Sequence, residues 1–115
     1  MQPKIMIVDD AAFMRMMIND TLTKNGYTNI IEASDGQIAY ELYQAEKPDL
    51  VIMDITMPNM DGIKSLRAIR EYDRSAKVVM CSAMGQESMV VDAIRYGALD
   101  FIVKPFKPDR ILQTV

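Results

Sequence analysis

The sequence predicts an α/β domain, a (βα)5 chain with a doubly wound, parallel, five-stranded sheet, and three observations predict it. Five short apolar runs have strand length. Stretches of about a dozen residues with helical spacing separate them, and turn-forming pairs fall between the two kinds of segment. Strict alternation of this kind is the pattern of consecutive βαβ units.

The elements follow in order. The first strand is Ile5–Val8, and the helix Ala11–Asn25 ends on Asn25-Gly26. The second strand is Asn29–Ala33, with Asp35-Gly36 ahead of the helix Gln37–Glu46. Lys47-Pro48 breaks that helix before the third strand, Leu50–Met53. Asp61-Gly62 opens the helix Ile63–Tyr72, and the fourth strand, Val78–Cys81, leads into the helix Gln86–Tyr96. Gly97 ends it, the fifth strand is Leu99–Val103, and a short last helix begins at Asp109 after Lys107-Pro108. Right-handed crossovers would lay helices on both faces of the sheet, so the strands can be apolar throughout. No internal repeat beyond the βα alternation is visible, and no linker or low-complexity segment. A chain of 115 residues, half of them apolar, has the size of one domain, spanning residues 1–115.

Composition excludes several classes of function. A formal net charge of −3 with no Lys/Arg cluster argues against nucleic-acid binding, which needs a concentrated basic face. The lone Cys81 forms no intramolecular disulfide and packs as a small apolar residue, so the expected location is cytoplasmic. Neither a signal peptide nor a membrane-spanning run is expected. There is no histidine, which removes Ser-His and Cys-His pairs and His-ligated zinc. The five glycines form no Walker loop or GxGxxG turn.

In an open doubly wound sheet the ligand site lies outside the carboxyl ends of the strands. There the sequence places Asp9 and Asp10 after the first strand, Asp54 after the third, Ser82 after the fourth and Lys104 after the fifth. Singly, each reads as a helix cap or a solvated side chain. Together they put three carboxylates, a hydroxyl and an ammonium on one rim, a combination that capping does not require. Three carboxylates within about 5 Å repel by roughly 3 kcal/mol per pair at an effective dielectric near 20, so a cation must compensate them. Mg2+, with its preference for hard oxygen ligands and phosphate, fits. Asp54 is then a nucleophile toward phosphorus, with Lys104 and Ser82 available to phosphoryl oxygens.

Four segments carry a resemblance: Val8-Asp9-Asp10, Met53 to Gly62, Cys81-Ser82-Ala83, and Phe101 to Phe106. The set resembles the motifs of response-regulator receiver domains, end to end. The resemblance implies a flavodoxin-like fold with strand order 2-1-3-4-5, an order taken from the family and not read from the residues. It implies Mg2+ held by Asp9, Asp10, Asp54 and the backbone carbonyl of Thr56, and phosphorylation of Asp54 by a histidine kinase or a small phosphodonor. Ser82 and Lys104 would bind the phosphoryl group, Phe101 would change rotamer with Ser82, and the Lys104-Pro105 peptide would be cis. Such a protein is not a turnover enzyme: it catalyses only its own phosphoryl uptake and slow autodephosphorylation. Phe101 stands where many relatives have Tyr, which leaves a purely steric switch.

The segments Asp9–Met17 and Cys81–Gln86 further resemble stand-alone chemotaxis receivers of the CheY type. That implies a CheA-like kinase, a FliM-like flagellar switch protein as target, and a phosphatase of the CheC, CheX or FliY kind, acting on a monomer with no nucleic-acid or membrane partner. The alternatives are a receiver cut from a larger regulator with a DNA-binding or other output domain, and a Mg2+-dependent aspartyl-phosphate phosphatase. The latter needs a second acid and a lid, for which no source is evident. In the fourth helix Met89, Val90, Val91, Ala93 and Ile94 span roughly 200° at 100° per residue, more than one buried face requires. Some must be exposed, and with the Phe101 strand and the start of the fifth helix they form the expected docking face. On the first helix, Met14, Met17, Ile18, Thr21 and Leu22 form the expected buried stripe, with Met16 and Phe13 outside it.

Overall fold

The computed structural model describes residues 3–55, 57, 61–83, 87–104 and 108–115. Five strands, β1 (Ile5–Val8), β2 (Ile30–Ala33), β3 (Leu50–Asp54), β4 (Val78–Ala83) and β5 (Asp100–Lys104), alternate with five helices. These are α1 (Ala12–Lys24), α2 (Gly36–Glu46), α3 (Gly62–Tyr72), α4 (Glu87–Arg95) and α5 (Pro108–Leu112). All strand pairs are parallel and the order is β2-β1-β3-β4-β5, the order the family resemblance implies.

The two-residue period of the strands sorts the core into two layers. Met6, Val8, Val51, Met53, Val78 and Met80 face α2, α3 and α4, where they meet Ala39, Tyr43, Leu66, Ile69 and Ala93. Ile5, Ile7, Leu50, Ile52, Val79, Cys81 and Ile102 face α1 and α5, where they meet Ile18, Leu22 and Ile111. Both faces are covered, which is why these strands read as unbroken apolar runs.

Local chemistry sets the helix ends. The Asp35 and Asp61 side chains accept from the backbone N–H groups of Ile38 and Lys64, each at 2.9 Å, and so cap α2 and α3. Lys47 closes α2 in the left-handed region with φ 47°, ahead of Pro48. Tyr43 of α2 donates its hydroxyl to Asp73 Oδ2 at 2.7 Å and meets Tyr72 edge to face, tying α2 to the end of α3.

The buried stripe of α1 is narrower than expected. Met17 is 39% exposed, and only Ile18 and Leu22 are fully buried. At 100° per residue Ile18 and Leu22 lie within about 40° of each other, whereas Met17 stands about 100° from Ile18 and falls off the contact line. Phe13 and Met16 are exposed, as the spacing predicts.

Candidate metal and phosphoryl site

In this strand order the direction of winding reverses between β1 and β3, and the carboxyl ends of those two strands carry the acids. Asp9 follows β1, with 2% of its surface exposed, and is fixed from several directions. Its N–H donates to the Ala33 carbonyl at 3.2 Å, its Oδ1 accepts from the Ala11 N–H at 2.9 Å, and its carbonyl accepts from the Arg15 guanidinium. Asp10 is exposed beside it. Asp54, the last residue of β3, is partly buried and in register with Cys81 of β4.

One carboxylate oxygen from each of Asp9, Asp10 and Asp54 lies within 4.8 Å of the other two. This donor set fits Mg2+: three hard, anionic oxygens converge, with Asp10 open to solvent so that water and phosphate oxygens can complete an octahedron. Among the described residues this is the one acidic cluster with that convergence.

The remaining rim residues are placed by the sheet. Ser82 of β4 is one residue beyond the partner of Asp54, is 1% exposed, and is in register with Val103. Lys104 ends β5 in register with Ala83, so its backbone stands at the same rim. Phe101, three residues earlier, pairs with Met80 and packs half-buried against the α2–α4 side of the core. Thr56, and Pro105 with its peptide bond to Lys104, lie outside the described residues.

Two supports complete the site. Gly62, at the start of α3, donates its N–H to the Ile55 carbonyl at 2.6 Å, and a Cβ there would overlap the Asp54 carbonyl oxygen and the Ile55 Cα. The loop after β3 can return this closely only on glycine. Arg15, which sequence reasoning missed, bonds the Asp9 carbonyl and pairs with Glu32 of β2 at 3.1 Å. Its only sequence signal is a basic residue in the first turn of the helix that follows the acids, which by itself points nowhere.

Other residues singled out in the sequence stand elsewhere. Val91 and Ile94 are exposed on α4, as the arc on that helix predicts. Leu99 and Val103, expected in a buried strand, are also exposed, because Leu99 falls before β5 and β5 is an edge strand of the sheet. Among the described residues no helix is long and apolar enough to cross a membrane.

The response regulator receiver domain model matches residues 5–115. The chain is 59% identical over its full length to the chemotaxis protein CheY of Bacillus subtilis, covering 96% of that protein, and 53% identical to CheY of Thermotoga maritima at the same coverage. Among solved structures it superposes on the CheX-CheY-BeF3-Mg2+ complex of Borrelia burgdorferi with a TM-score of 0.91 and 41% identity, over 96% of this chain and 84% of that one. It also superposes on NtrX of Brucella abortus with a TM-score of 0.91 and 35% identity, where it spans only 25% of the longer chain. A sheet with three acids at its β1/β3 switch point, matched along its length by these relatives, belongs to the response regulator receiver domain family of two-component signalling.

Proposed function

We propose that the protein is a CheY-type chemotaxis switch, phosphorylated on Asp54 in a Mg2+-dependent reaction by a CheA-like histidine kinase. The convergence of the Asp9, Asp10 and Asp54 carboxylates at the switch point is the observation that carries this reading. Asp9, Asp10 and Asp54, with the Thr56 carbonyl, would hold the ion, which supplies charge neutralisation at the phosphoryl oxygens. An Asp54 carboxylate oxygen attacks phosphorus, a P–O bond forms, and the donor's P–N bond breaks as the imidazole leaves and takes a proton. Ser82 donates to one phosphoryl oxygen and Lys104 offers its ammonium to another. Phe101 then changes rotamer, and the face of α4, β5 and α5 engages a FliM-like target. Phosphoryl loss is slow unless a CheC-, CheX- or FliY-type phosphatase acts. The protein works as a cytoplasmic monomer and turns over no other substrate.

The CheY relatives matched over nearly their whole length favour this reading. The NtrX likeness, confined to a quarter of that chain, supports a second: the receiver of a larger regulator, with the same chemistry at Asp54.

Beryllium fluoride with Mg2+, a phosphoryl mimic, tests the switch when the Phe101 ring is followed by NMR. The ring resonances are expected to move in the wild type and to stay put in Asp54→Asn. Unmoved resonances in a wild type that binds the mimic would remove Phe101 from the mechanism.

A further inference from the structure

Away from the acid rim, an open groove of about 400 Å³ lies between α3 and α4 and is lined by Arg67, Arg70, Arg74 and Arg95 with Glu71 and Tyr96. Four of the six arginines in the sequence stand there against a single glutamate, in a chain whose formal net charge is −3. Helix C-termini attract cations, which accounts for a basic residue at each helix end but not for four guanidiniums around one groove.

Two of the four are held in place. The Arg67 guanidinium carbon sits 4.7 Å from the centre of the Tyr96 ring. Arg70 donates from Nη1 to the Ala76 carbonyl at 3.0 Å and lies along Gly97, where φ is 98° and a Cβ would stand 2.6 Å from Arg70 Nε. Arg67, Arg74 and Arg95 are exposed, and among the described residues no carboxylate forms an ion pair with any of the four. Anchored guanidiniums lose less freedom when they bind an anion, and their planar fork matches a carboxylate.

We propose that this groove docks an acidic segment of a partner protein. Arg67 and Arg70 stand on α3 and Arg74 follows in the turn beyond it, a row on the order of 10 Å long at the helical rise. That length suits several carboxylates spaced along a peptide rather than one phosphate. Glu71 stands within the row, where a polyphosphate would meet only repulsion but a peptide backbone brings N–H donors. Arg70 lies eight residues along α3 from Gly62, about 12 Å from the acid rim. Occupancy of the groove therefore leaves the phosphoryl site open, and the inference stands independently of the chemistry proposed at Asp54.

Fluorescence anisotropy of a short fluorescein-labelled Glu-rich peptide, titrated with the whole protein, tests it, with tripolyphosphate as competitor. Binding is expected in the wild type and equally in Asp54→Asn, weakening by roughly tenfold in Arg74→Glu/Arg95→Glu. A melting curve checks that the double variant is folded, and Arg95→Ala gives the same comparison with a smaller loss. Equal binding by wild type and the arginine variants overturns the proposal. So does displacement of the peptide by tripolyphosphate at much lower concentration, which would assign the groove to phosphoanions.

Discussion

Asp10 is the exposed member of the carboxylate trio, so its charge can be removed with least disturbance to packing. Two unit charges 4.8 Å apart repel by about 1 kcal/mol in water and roughly 3 kcal/mol at an effective dielectric of 20. Asp10→Asn should therefore raise the melting temperature in EDTA, by about 4 °C for each kcal/mol relieved, while losing the stabilisation expected from Mg2+ in the wild type. Mass action sets the expected stabilisation at about 1.4 kcal/mol at ten times the dissociation constant. Thermal melts with EDTA and with Mg2+ measure both, and a lowered melting temperature with an intact Mg2+ response would contradict the cluster's role. At this scale the acids were legible because Asp9, Asp10 and Asp54 each end an apolar run. Arg15 was not, since its tie to the Asp9 carbonyl depends on how α1 seats against the rim, and no local pattern encodes that.

The tie between α2 and the end of α3 carries its own pH signature. Hydrogen bonds from the Ser75 hydroxyl, and then from Tyr43, hold the Asp73 carboxyl below the usual aspartate range. A carboxyl depressed in the folded state binds protons more readily when unfolded. Its contribution is therefore complete above about pH 4 and disappears as pH falls further, through the folded value. The acid side of the stability profile should be flatter in Asp73→Asn than in the wild type; melts between neutral pH and the acid limit check it, and identical profiles would contradict the tie. For Tyr43 itself, burial first and then Asp73 push the phenol up from its usual value, so it stays protonated at neutral pH and keeps donating. Strands were legible nearly to the residue, because burial on two faces makes them continuous: Ile5–Val8 is predicted and found. The α1 stripe was overdrawn at Met17, since spacing gives a helical face but not how wide the contact with the sheet is.

Across the whole molecule, three distinct surfaces surround the sheet. The carboxyl rim holds the acids, the α4–β5 side exposes Val91, Ile94, Leu99 and Val103, and the α3–α4 groove gathers the arginines. The strand order came from family likeness, because a run of βα units states which segments pair with helices and not which strands lie side by side. The order then assembles the acid cluster, since it brings the end of β3 beside the end of β1 and so brings Asp54 to Asp9 and Asp10. The most direct test of that assembly is intact-protein mass after incubation with acetyl phosphate and Mg2+, with EDTA and Asp54→Asn as controls. The account predicts a single added phosphoryl group that requires both Asp54 and the metal. An adduct that survives either control would contradict it, as would no adduct together with no Mg2+ binding.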